Sequence, residues 1–286
     1  MNVVFTGAAG YIGSATVEAL LGHGHDVTAI VRSEESAKAV AQDRVTSVVG
    51  DIADVEWMTG QLRAADGAIH LANTNDPEVD DAVASAIIRA FAGSEKPYVH
   101  TGGVWGWGNG EMIVESDSLD APKIVAWREA IEKRILTPGI RGSVIAPAVV
   151  YGHGKGIPKA VIVDGQKIDG SVHLVGTGDQ HWATVHVDDL AELYVAVLEK
   201  APGGDVYIGA SGENPTVREL AEAYHGVGKT VVETAEETRD RLGTDFADAL
   251  LLSQQATGNT AKNLFGWNPK QPALIELLRG GYPVDR

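Results

Sequence analysis

An α/β fold, a doubly wound parallel sheet with a smaller C-terminal lobe, is what this sequence predicts, and three observations predict it. Short β-branched runs alternate with helical patterns through the first 145 residues, the rhythm of successive βαβ units. The strand-like runs are apolar almost throughout, as strands covered on both faces must be. After Ile145 the rhythm loosens into loops bearing Gly and Pro, from Pro147 to about Gly178, before a clear amphipathic pattern resumes.

The elements follow in order. Strands are expected at Asn2–Thr6, Asp26–Val31, Val45–Val49, 67–71, Pro97–Thr101 and 142–145. Helices are expected between them at 14–21, 34–41 and 80–92, where Val83, Ile87 and Ala90 recur at helical spacing and give one buried face. Further on, HVDDLAELYVAVLEK opens at His186 as an amphipathic helix, and SGENPTVRELAEAY is a loop and helix start. There Thr216 is the N-cap and Glu219, three residues later, completes a capping box. The tail FGWNPKQPALIELLRGGY gives a loop and a short terminal helix. Residues 1–145 are expected to form the first domain, with 184–210 returning to it, and 146–286 to form mainly the second lobe.

Length and composition narrow the function classes. At 286 residues, 44% of them hydrophobic, the chain is long enough to bury its own core. With no cysteine there are no disulfides, thiolate metal sites or cysteine nucleophiles, which fits a reducing compartment. A formal charge of −16, with Lys and Arg scattered singly, repels a phosphate backbone, so no nucleic-acid partner is expected. No basic leader precedes the first strand and no stretch approaches 18 apolar residues, so the expectation is a cytoplasmic protein without a membrane partner. Monomer and homodimer both stay open.

TGAAGYIG follows the first strand directly and opens a helix. Gly7, Gly10 and Gly13 stand where a tight turn, close approach to a pyrophosphate and close helix–strand packing each exclude a side chain. The helix start, with Tyr11 and Ile12, then turns free N–H groups and a positive dipole end toward phosphates. This is the pattern of a Rossmann-type dinucleotide site. The tip of the second strand selects the dinucleotide, because a carboxylate there binds a ribose 2′-OH whereas a guanidinium receives a 2′-phosphate. The tip reads VRSEE, with Arg32 and Ser33 ahead of any carboxylate, which favours NADP(H) over NAD(H). Past the third strand, Asp51 can reach an adenine amino group and Ile52 can cover the ring.

These segments together resemble the short-chain dehydrogenase/reductase superfamily, in its extended and atypical branch related to the NAD(P)-dependent epimerase/dehydratases. The resemblance spans nearly the whole chain: TGAAGYIG, GDIAD from Gly50, IHLAN from Ile69, HTGGVWG from His100, PAVVYGHG from Pro147 and HVDDLA from His186. It implies an NADP(H)-binding first domain and a substrate-binding lobe. It further implies that Leu71 and Ala72 border the cofactor's ribose and diphosphate, and that Pro147, Ala148 and Val149 border the nicotinamide. Thr101, three residues before the Val of V-W-G where the family has V-Y-G, would orient a substrate oxygen.

The family also places a Tyr and a Lys four residues apart on the next helix, both facing the nicotinamide. That helix, expected over 122–136, has no tyrosine; Trp127 lies near the expected place and Ile131 follows four residues later. Tyr151 and Lys155 match the spacing within YGHGK, but two glycines in a loop do not co-orient them. Three functions stay open. The favoured one is an NADP(H)-dependent oxidoreductase reducing a carbonyl or activated double bond of a small, apolar metabolite, with the proton drawn from another group or water. The second is a non-catalytic NADP(H)-binding regulator resembling the NmrA regulators. The third, a nucleotide-sugar epimerase or dehydratase, suffers most from the missing tyrosine.

His153, on a Gly-flanked loop, titrates in the useful range and is the first candidate proton donor, with Tyr151 second. Asn73 either binds a substrate carbonyl or caps its own turn. Trp105, Trp107, Trp127 and Trp182 fall in segments that by resemblance surround the substrate, which predicts apolar walls. No metal site is expected. His186, Asp188 and Asp189 open a helix, where Asp188 serves as a cap or first-turn carboxylate, and His173 and His181 lack zinc-ligand spacing.

Overall fold

A computed structural model describes residues 1–283, Gln166 and Asp169 excepted. Its main sheet has seven parallel strands. The first five are β1 (Asn2–Thr6), β2 (Asp26–Val31), β3 (Val45–Val49), β4 (Gly67–His70) and β5 (Pro97–Thr101). From one edge the order is Val206–Gly209, Arg141–Pro147, β5, β4, β1, β2, β3. The chain winds outward from β1 to β3 and then returns to the other side of β1, so the order reverses between β1 and β4. In open α/β sheets that reversal leaves a crevice at the carboxyl ends of the strands.

Period-two alternation fills two cores from the same strands. In β1, Val3 and Phe5 enter one core and Val4 the other, all essentially buried. The first core lies under α1 (Tyr11–Gly22) and the helix Val187–Lys200. Beyond the short α2 (Glu34–Ala39), the second core is covered by α3 (Val55–Arg63), α4 (Pro77–Phe91) and the helix Arg128–Ile135. A third cluster, including Tyr151, Trp182, Leu220 and Leu274, sits beneath the C-terminal lobe. Among the described residues no helix is long and apolar enough to cross a membrane.

Two helix starts differ from expectation for local reasons. α4 begins at Pro77, three residues before the apolar spacing suggests, because the Asp76 side chain accepts from the Glu78 N–H and proline suits the first helical position. The helix expected over 122–136 begins only at Arg128. The Pro122 carbonyl accepts from both Val125 and Ala126, which winds residues 123–127 into turns. At position 186 the histidine itself caps, its Nδ1 accepting from the Asp188 N–H, and Asp188 is a first-turn carboxylate.

The C-terminal lobe is pinned by a buried ion pair. Glu233 accepts from Arg241 Nη2 at 2.7 Å and from the Thr238 hydroxyl at 3.0 Å, with His173 Nδ1 at 3.0 Å. Burial alone would raise its pKa, but the donors from Arg241, Thr238 and His173 outweigh it and hold the carboxyl below its usual range. A depressed folded-state pKa adds stability above the unfolded value of about 4.3 and loses it as pH falls through the folded value. Glu233→Gln is therefore expected to cost about 3 kcal/mol in denaturant unfolding at pH 7, since it leaves the guanidinium unpaired. The gap to the wild type should close as pH falls below about 4; a pH-independent difference would contradict this account.

Candidate functional site

The crevice is a cavity of about 1330 Å³. The glycine turn forms its floor. Gly7 sits at φ +84°, and a Cβ there would lie 2.6 Å from the Ala72 nitrogen. A Cβ on Gly13 would lie 1.9 Å from the Gly7 carbonyl oxygen. The turn thus touches both the end of β4 and the start of α1, and only a missing side chain permits either approach. Ser14 donates to the Gly10 carbonyl, so the N–H groups ahead of it, at Tyr11, Ile12 and Gly13, open toward the cavity that these residues line. The geometry is a cradle for a diphosphate.

At the β2 end the cavity is lined by Arg32, Ser36, Asp51 and Ile52. Arg32 is exposed and makes no ion pair or hydrogen bond among the described residues. Ser33 is a correction: it does not line the cavity. Its hydroxyl caps α2, accepting from the Ser36 N–H and donating to the Ser36 hydroxyl, and Ser36 is the serine that lines the cavity. Leu71, Ala72, Pro147, Ala148 and Val149 line the middle of the cavity.

The opposite end gathers side chains from four elements. Thr101 Oγ1 donates to the His70 carbonyl at 2.7 Å and lies 2.8 Å from the hydroxyl of buried Tyr194. Arg128 Nη1 donates to the Thr101 carbonyl at 3.1 Å, Nη2 to Asn73 Oδ1 at 3.4 Å, and the guanidinium lies 4.8 Å from the centre of the Trp127 ring. Asn73 also accepts from the Asn75 N–H, so it caps its turn as well. His70 is buried, with Nδ1 2.7 Å from Thr6 Oγ1 and Nε2 3.5 Å from Asp80 Oδ1. It stacks on His100, ring centres 5.5 Å apart, whose pKa burial pushes well down and His70 and Arg128 lower further. Both His70 and Asp80 line the cavity.

The pair that faces the cleft four residues apart is Ile124 and Arg128. Sequence reasoning placed it at Trp127 and Ile131 by assuming an unbroken helix. The signal that could have found it is the basic residue itself, since Arg128 follows Ile124 by four residues.

Neither candidate proton donor lies in the cleft. Along the strand Val149–Gly152, Val149 and Val150 line the cavity, whereas Tyr151 does not and packs in the third cluster. Tyr151 is 1% exposed and donates to the Pro272 carbonyl, and burial drives its pKa well above the usual tyrosine range. His153, at φ +51°, turns to Asp188, its Nε2 2.8 Å from Oδ1. Three tryptophans also fall elsewhere. Trp107 is packed in the first core, Trp182 donates to the Leu250 carbonyl inside the third, and Trp127 donates to the Ile124 carbonyl and packs on the second. Trp105 lines the cleft, edge-on to Phe246 with ring centres 6.3 Å apart. Asp189 accepts from the Lys270 and Gln271 N–H groups, a structural join, and among the described residues no acid–histidine group forms a metal site.

Tyrosines clamp the rim. Tyr11 donates to the Gly152 carbonyl; Tyr282 accepts from the Gly152 N–H and donates to the Lys155 carbonyl. The next residues of that hairpin, Gly156 and Ile157, line the cavity.

Comparison with known proteins agrees with this architecture. A model described as NAD(P)H-binding matches residues 7–95, and one described as the NAD dependent epimerase/dehydratase family matches residues 126–209. An uncharacterized protein of Saccharomyces cerevisiae is 27% identical over 100% of both chains. A UDP-glucose 4-epimerase of Mycolicibacterium smegmatis is 30% identical over 96% of both. Among solved structures, a human epimerase family protein with NADPH superposes with a TM-score of 0.74 at 21% identity, covering 98% of each chain.

Proposed function

The chain belongs to the NAD-dependent epimerase/dehydratase family of extended short-chain dehydrogenases/reductases, and from that premise we propose that it is an NADP(H)-dependent oxidoreductase reducing a carbonyl or activated double bond of a small metabolite. The observation that carries the choice is the makeup of one continuous cavity: a diphosphate cradle, an uncommitted guanidinium at the β2 tip, and a partly apolar far end without an acidic hydroxyl. The one tyrosine lining it, Tyr11, is bonded to Gly152, and burial drives its pKa far above the usual range. That argues against epimerase or dehydratase chemistry, which draws a proton from a substrate hydroxyl.

Gly7, Gly10 and the first turn of α1 hold the diphosphate, Arg32 with Ser36 the 2′-phosphate, and Asp51 and Ile52 the adenine. Leu71 and Ala72 border the ribose side, and Pro147, Ala148 and Val149 the nicotinamide. Bound there, the cofactor supplies a hydride. Both ring nitrogens of His70 are turned to Thr6 and Asp80, so the proton that the missing tyrosine would have delivered comes from water. Thr101 fixes the wall against which the substrate oxygen lies. Solved structures of the same fold carry NAD or NADPH, so the choice of NADP(H) rests on Arg32.

Loss of NADPH absorbance with at least one class in a panel of ketones, aldehydes and enones is the expected result. A panel without turnover, alongside an NADPH-dependent rise in Tm, would establish the regulator instead. Once a substrate is in hand, Thr101→Val should lower kcat about tenfold or more with NADPH affinity unchanged. It should also cost about 1–3 kcal/mol of stability, because the buried Tyr194 hydroxyl loses its partner. Full activity in Thr101→Val would make the hydroxyl dispensable.

A further inference from the structure

We propose that the substrate carries a carboxylate, seated on Arg128, with a flat apolar body against Trp105 and Phe246. The inference rests on the oxidoreductase reading of the same cleft and sharpens it. Arg128 is a half-buried cation at the substrate end, and its hydrogen bonds go only to neutral acceptors, the Thr101 carbonyl and Asn73 Oδ1. Its Nε is buried without a partner. Among the described residues no carboxylate lies within ion-pair distance of it, although the chain carries 39 acidic residues against 23 Lys and Arg.

The nearest candidates are otherwise engaged. Of the two carboxylates lining the cavity, Asp51 stands past β3 at the far end, and Asp80 is buried against His70. Glu132, one helical turn beyond Arg128, lies behind Gly102, outside the cavity and beyond ion-pair distance; burial raises its pKa and the charge of Arg128 lowers it. A partly desolvated guanidinium without a carboxylate in hydrogen-bond contact is costly, and a carboxylate is the planar anion that its fork fits. Stacking on Trp127 fixes the plane of that fork. The adjoining walls, Trp105, Phe246, Ile124 and Val125, suit a flat apolar or conjugated body.

Trans-cinnamate and its uncharged isostere cinnamamide test the assignment by calorimetry on protein saturated with NADP⁺. Cinnamate should bind the wild type about tenfold or more tighter than cinnamamide, about 1.4 kcal/mol. Arg128→Gln should erase that ratio while leaving NADPH affinity unchanged, and Arg128→Lys should restore part of it. Equal binding of the two probes, no detectable cinnamate binding, or an Arg128→Gln variant that loses NADPH affinity together with cinnamate would each overturn the proposal. If NADPH itself fails to bind the wild type, the cofactor reading falls instead, so the two failures are distinguishable.

Discussion

Gly13→Ala is expected to abolish measurable NADPH binding and to lower Tm by several degrees. An added Cβ would overlap the Gly7 carbonyl oxygen at 1.9 Å, far inside contact distance, so α1 must lift off the turn or the turn must open. Either movement disperses the first-turn N–H groups that converge on the diphosphate, and loss of several charge-assisted bonds of about 1.5–3 kcal/mol each exceeds a hundredfold in affinity. Gly10→Ala is the internal control. Its Cβ would meet the same oxygen at 3.1 Å, a shift of a few tenths of an ångström, so binding should weaken only modestly. Near-wild-type NADPH binding by Gly13→Ala, measured by fluorescence titration, would remove the cradle as the phosphate site.

Arg32→Asp should invert cofactor preference. The guanidinium is exposed and unpaired, so its removal costs little stability. An aspartate there repels a 2′-phosphate and accepts from a 2′-OH. Losing a charge-assisted contact and gaining a like-charge one together amount to about 2–4 kcal/mol, or roughly thirtyfold to a thousandfold in the ratio of NADPH to NADH dissociation constants. An unchanged ratio would show that Arg32 does not read the phosphate, and the family's NAD(P) breadth would then be all that stands.

The sheet was legible because its strands are buried on both faces, which writes each one as an apolar run. The boundaries of β1, β2, β3 and β5 coincide with those runs. The glycine turn was legible for a different reason: it needs absent side chains at fixed spacing, and absence is visible in a sequence. What the sequence hid was orientation. Tyr151 and Val150 are neighbours, yet only Val150 meets the cleft. Ser33 and Ser36 are chemically alike, and the demand of α2 for a cap decides which is consumed. The Ile124–Arg128 pair was misplaced because Pro122 winds turns where a helix was assumed, and no apolar periodicity records that. His70 and Asp80 come together across the gap between β4 and α4, a tertiary contact with no local signature.

The tyrosine clamp on the rim has a consequence in time. Tyr11, with the glycine turn beside it, is made long before Tyr282. Both grip the peptide at Gly152. The nucleotide cradle can therefore assemble early, but its outer edge stays loose until nearly the whole described chain has been synthesised. A nascent chain stalled before Tyr282 would leave the Gly152 N–H and the Lys155 carbonyl without that hydroxyl, so the edge of the pocket closes only after Tyr282 has been made.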